Sequence, residues 1–280
     1  MVKAQPMAIS FNQQSVQPEA SGAQQVMRQP LLHPARVPAI KFSVERITLG
    51  AGGTMPLGIA PGELAWFQVL EGEAVLDTER LTDAHVVFLP PGYQGALHTA
   101  SGAALLLARI PEAKRHDAAL DGAQLGLRVV DWTREPVLES QYDARKRIYL
   151  VTPKLFGTQA IKGEMIIYPP GTEAANHHHE GAAHFMYILE GAGTCFADEQ
   201  PFPVRAGDVV YYRDGERHYL RSDAQLGMRF VEFFVPGSYK TVWAKDANVC
   251  TWNPTGKSIR GEKAAREIQA HTSAAPTADI

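Results

Sequence analysis

The chain repeats itself. The stretch AWFQVLEGEAVLD from Ala65 aligns with HFMYILEGAGTCF from His184, and HVVFLPPGYQGALH from His85 aligns with DVVYYRDGERHYL from Asp208, in the same order. A tandem repeat of this length predicts two similar domains, residues 35–120 and 121–250. Within each copy the texture is short runs of β-branched and aromatic residues cut by Gly and Pro, such as HVVFLPPG, GEMIIYPPG and MRFVEFFVPG. Many such runs at close spacing predict an all-β barrel or sandwich. Outside the repeat, residues 1–34 are rich in Gln, Ala, Ser and Pro without periodicity and read as an extended or disordered arm. Near the other end GEKAAREIQAH has helical texture, so residues 251–280 are expected to hold a short helix and a polar tail.

Composition narrows the class of partner. With 280 residues and 45% hydrophobic content, each half is long enough to bury a core. A net charge of -3 and a pI near 6.4 give no basic footprint for nucleic acid, so a small molecule is the expected partner. No apolar run reaches the length of a membrane span, and Lys3 is followed by no signal-like apolar region, so a cytoplasmic location is expected. Cys195 and Cys250 are far apart and read as reduced thiols rather than a disulfide or a thiolate metal site.

The two copies differ in their histidines. Ala65 stands where the second copy has His184, and Gly95 stands where it has His218. The region of the first copy matching His177 and His179 reads LGIAPG. Whatever the histidines do belongs to the second copy alone. On a strand, residues two apart share a face, so His177 and His179 point one way and His178 the other. A surface polyhistidine tract is the plain alternative for HHH, but it leaves His184 and His218 unexplained.

The spacing resembles the cupin superfamily. Its first motif is a Gly, five residues, His-x-His, three or four residues, Glu, six residues and Gly; here Gly171, TEAAN, His177-His178-His179, EGAA, His184, FMYILE and Gly191 follow it. Its second motif is matched by Gly207, DVVYY, Arg213-Asp214-Gly215, two residues, His218, YLR and Ser222. Three identities depart from the family pattern: His184 for Glu, Arg213 for Pro and Ser222 for Asn. The resemblance implies two tandem cupin barrels of jelly-roll type, a bicupin, with a metal held only in the second. It also implies a homodimer.

By that resemblance the metal ligands are His177, His179, His184 and His218. Four neutral imidazoles leave a divalent ion its full charge and make it a stronger Lewis acid than a set containing Glu. Imidazole suits Fe, Cu, Ni and Zn better than Mg or Ca; Fe(II) leads, with Mn, Ni or Zn as the other candidates. His184 has a second reading, as a catalytic acid or base that leaves a three-His site. Similar family members with three-His iron are dioxygenases, so the expected activity is oxidation of a hydroxylated aromatic acid or dicarbonyl compound. The alternative is a non-redox hydrolase, isomerase or cyclase resembling ureidoglycine aminohydrolase, or a metal-binding cupin without catalysis. Alternation along the strands offers Met165, Ile167, Met186, Ile188, Arg229 and Phe233 as substrate contacts. Arg217, beside His218, is the alternative guanidinium for a substrate carboxylate.

Overall fold

The computed structural model describes residues 8–120 and 125–272, and it is β-rich throughout. The chain divides into two compact units, one made of residues 13–132 with 155–157, the other of residues 1–12, 133–154 and 158–280. In the first unit a seven-stranded and a four-stranded antiparallel sheet enclose an aliphatic core. Strand Leu64–Gly72 lies between His85–Leu89 and Ala103–Ile110 in the larger sheet, and Ala103–Ile110 also pairs with Ser43–Leu49. Inward residues such as Ile47, Phe67, Leu89 and Leu107 are almost wholly buried, so the interior is filled with side chains.

The second unit is one curled sheet of thirteen strands. At its centre strand Ala183–Ala197 pairs with Asp208–Tyr212 and Met228–Val235 at one end and with Gln200–Arg205 and His218–Ser222 at the other. Gly191 lets this strand bend: its φ is 74°, and a Cβ there would meet the Gly227 carbonyl oxygen at 2.1 Å. The first unit has the same device, with Gly72 at φ 73° and a hypothetical Cβ 2.2 Å from the Gly102 oxygen.

Two segments outside the repeat differ from their sequence reading. Of the stretch read as an arm or leader, Ile9–Asn12 pairs with Asp208–Tyr212 in the second unit, and Val26–Leu32 pairs with Ser43–Leu49 in the first. The expected C-terminal helix does not form. Among the described residues the one α-helix is Pro153–Phe156, whereas His271–Thr272 is a strand against Thr251–Pro254. Tertiary contacts override the helical texture: Ile268 packs with Leu138, Tyr149 and Trp252, and Ala265 N–H donates to the Arg134 carbonyl at 2.8 Å. A free helix this short is marginal in water, so these contacts win.

Candidate metal centre

Each histidine is placed by a strand. His177 and His179 lie on His177–Glu180, where they pair with Trp243 and Thr241 of strand Lys240–Trp243. His218 opens its own strand directly opposite His177. His184 sits between Tyr212 on one neighbouring strand and Phe234 on the other. The tight turn before His218 is tied to the first histidine strand, since Gly215 N–H donates to the His179 carbonyl at 2.8 Å and Gly181 N–H donates to the Asp214 carboxylate at 2.9 Å. Ser222, which stands where the motif has Asn, donates to the Pro169 carbonyl at 2.6 Å and accepts from Thr172 N–H at 3.0 Å.

The four predicted histidines come together, with neighbouring ring centroids 4.5 to 5.2 Å apart. Their hydrogen bonds leave the same atom free. His177 Nδ1–H donates to the Ala175 carbonyl and His218 Nδ1–H to the Glu216 carbonyl, both at 2.8 Å, while His179 Nδ1 bonds Thr241 Oγ1 at 3.2 Å. Because a carbonyl only accepts, the first two rings carry their proton on Nδ1 and keep an Nε2 lone pair. His218 Nε2 and His184 Nδ1 are buried without a hydrogen-bond partner, and His184 Nε2 has only the Glu232 carboxylate nearby. Burial, then the neighbouring imidazoles, hold His179, His184 and His218 well below the usual histidine range, and burial pushes His177 down to about 4. The rings are therefore neutral, the state a metal requires.

A carboxylate joins them. Ligand atoms of His179, His184, His218 and Glu232 all lie within 4.8 Å of one another, and Glu232 Oε1 is 3.1 Å from His184 Nε2. Metal bonds of about 2.1 Å put ligand atoms on opposite sides of an ion roughly 4.2 Å apart, so this group closes on a cation with movements of a few tenths of an ångström. Together with the orphaned imidazole nitrogens, this donor set fits a divalent metal. His177 borders the group through His218 and His179 but lies outside the tight four. His184 is stacked at 25° against both Tyr212 and Phe234, which fixes its ring.

The histidines open onto a cavity of about 50 Å³. Its walls are unusual for a β-barrel interior: buried Arg145, Arg147, Lys162 and Glu164 alternate with aromatic residues, among them Tyr239, Trp243 and Trp252. Arg147 Nη2 is 3.2 Å and Lys162 Nζ 3.3 Å from opposite oxygens of Glu164, and Lys162 donates to Tyr239 Oη at 2.7 Å. Burial alone would raise the Glu164 carboxyl, but Arg147 and Lys162 hold it below the usual range. The Glu232 carboxyl is pushed up to about 8, first by burial and then by Glu164.

The substrate contacts expected from alternation do not line the cavity. Met165 and Phe233 are buried away from the cavity, Phe233 stacking on Phe185, and Ile167 shares the Met165 face. Arg229 pairs with Glu190 outside the cavity. Directly opposed residues of an antiparallel pair point the same way, and Phe234 opposes His184, so Glu232 and Phe230 face inward while Phe233 and Arg229 do not. Met186 and Ile188 share the His184 face but pack in the apolar end of the barrel, and Arg217 does not line the cavity. Sequence reasoning missed Glu232, Lys162 and Arg147. Their signal was charge inside otherwise apolar strand runs, KGEMIIY, KRIYLV and MRFVEFFV.

Fold and site together define a β-barrel protein with a histidine and carboxylate cluster suited to a divalent metal. Residues 164–234 match the family described as Cupin domain, and this part of the chain is a cupin domain. The oxalate-binding protein of Thermotoga maritima is 31% identical over 67 residues, which cover 24% of this chain and 55% of that protein. Protein SchB of Streptomyces halstedii is 27% identical over 82 residues, covering 29% and 59%. The chain thus spans little more than half the length of the curated relatives it matches. Among solved structures, oxalate decarboxylase from Bacillus subtilis superposes with a TM-score of 0.67 at 14% identity, covering 87% of this chain and 79% of that one. This similarity extends through both units and shows a shared fold: the chain is two tandem cupin barrels.

Proposed function

We propose that the protein is a metal-dependent enzyme acting on a small acid that chelates the metal, and that its chemistry is Fe(II)-dependent oxidation by O₂. The observation that carries this reading is the set of neutral histidines, with the Nε2 atoms of His177 and His218 left free by their hydrogen bonds, beside a cavity walled by cations and aromatic rings. His177, His179, His184, His218 and Glu232 would hold the ion. When bound, the metal supplies Lewis acidity and, as iron, electron transfer to oxygen. The protein's own residues bind and orient the acid through buried guanidinium and ammonium groups and limit water in the cavity. Stacking of His184 between Tyr212 and Phe234 holds one ligand ring in place. A cavity of about 50 Å³ accommodates roughly four waters, so short carbonyl acids suit it better than hydroxylated aromatic acids.

A second reading has its own support. Glu232 adds a carboxylate to the histidines, and relatives in sequence and fold are named for oxalate binding and decarboxylation. That favours non-redox chemistry with Mn, Ni or Zn on a small acid. The test is to purify the protein without oxygen, identify the metal by elemental analysis, and follow O₂ uptake and acid consumption together. O₂ uptake that needs Fe(II) supports the first reading. Turnover without O₂ on another metal replaces it with the second, and tight acid binding without turnover leaves a binding protein.

A further inference from the structure

Charge is unevenly distributed in the cavity. Arg145 is paired with Asp143 at 2.8 Å and is balanced there. Arg147 and Lys162 are not: both lean on the single carboxylate of Glu164, and all three side chains are at least nine-tenths buried. Two cationic side chains at this end thus share one carboxylate; burial lowers the Lys162 ammonium from its usual range and Glu164 raises it. Glu232 lies directly across from Glu164 on the neighbouring strand, but its contact is His184. At the histidine end, a divalent ion exceeds the charge of Glu232 by at least one, whether or not that carboxyl is ionised. An unmatched buried charge is costly until a counter-ion arrives.

Hydrogen-bond donors are unmatched as well. Arg147 Nε and Trp243 Nε1 are buried without a partner, and both residues line this cavity. Trp243 packs on His177, with ring centroids 5.0 Å apart, and the Arg147 guanidinium lies 4.1 Å over the Trp252 ring. One cavity tryptophan thus lies against a candidate metal ligand and another against the Arg147 guanidinium.

The first barrel gives an internal control. By strand register Arg28 and Glu45 occupy the places of Arg147 and Glu164, and they too form an ion pair, at 3.0 Å. Ser43 stands in the place of Lys162. Among the described residues, one cation leans on Glu45 and two lean on Glu164.

We propose that the cavity is built for a dianion, a short dicarboxylic or keto-dicarboxylic acid, with one end at the histidine cluster and the other at Arg147 and Lys162. This narrows the reading of a metal-chelated small acid and rests on it. The test uses full-length protein loaded with Mn(II), titrated with acetate, propionate, malonate, succinate and oxaloacetate by calorimetry and by Trp fluorescence, since Trp243 and Trp252 line the site. Diacids are expected to bind at least about tenfold tighter than monoacids. Lys162→Met removes one of the two cations and keeps the Arg147–Glu164 pair; it is expected to cost about tenfold in diacid affinity, more than it costs monoacids, while metal content stays within about twofold. Trp243→Phe removes the indole N–H and keeps a smaller aromatic ring against His177, and a selective loss of diacid affinity is expected, so the test survives misfolding of the Lys162 variant. Equal affinity for mono- and diacids, or a diacid preference unchanged in the variants, overturns the dianion inference and leaves the metal-and-acid reading standing. Failure to take up Mn(II), or to bind any acid when loaded, overturns both.

Discussion

The two barrels are framed alike and filled differently. In the first, Ala65 is flanked by Leu89 and Arg109; in the second, its counterpart His184 is flanked by Tyr212 and Phe234 in the same register. Leu107 corresponds to Glu232 and Gly95 to His218, while the bending glycines Gly72 and Gly191 are kept. Strand register and a few glycines are thus enough to specify the barrel, and the inward side chains are free to vary between aliphatic packing and a polar cavity. The aliphatic version contributes hydrophobic stabilisation; the polar version carries buried charges that packing alone does not offset.

The sharpest way to break this contrast is at the histidines. Replacing His179 and His218 together by Ala is expected to lower metal content more than about tenfold by elemental analysis. Retention of the metal would remove the distinction between the barrels. Phe67→Ala, in the first core, is expected to cost about 3–5 kcal/mol in urea denaturation with metal content unchanged. Glu232→Gln is expected to weaken metal affinity by about 10–100-fold in chelator competition, whether the carboxylate binds the ion or orients His184. The smallest effect is expected at Arg28→Ala: its ion pair is about a third exposed, against a tenth for Arg147, so the loss should stay near or below about 1 kcal/mol.

How much was legible in the sequence follows from how local each feature is. The barrel repeat and the histidine spacing were readable because residues two apart on one strand share a face without knowledge of any neighbour. Glu232 was not, because its facing depends on the register between two strands, and that register shifts at a bulge between Ile188 and Glu190. Arg147 and Lys162 lie on strands outside both histidine motifs. His271 reaches the cavity at the end of a segment whose composition favours a helix, and only contacts of that segment with Leu138, Tyr149, Trp252 and Arg134 decide otherwise.

Strand Ile9–Asn12 belongs to the histidine-bearing barrel, and the Asn12 amide donates to the Asp208 carboxylate 196 positions later at 2.7 Å. During synthesis this segment leaves the ribosome before either repeat, yet its hydrogen-bonding edge appears only when the second is nearly complete. The intervening barrel has every partner it needs much earlier. A pairing of such long sequence separation is slow to find. Maturation of the metal-binding half is therefore expected to trail that of its silent twin, with residues Asp208 to Tyr211, next to the Tyr212 that supports His184, presenting an open strand edge to other chains until the early segment docks.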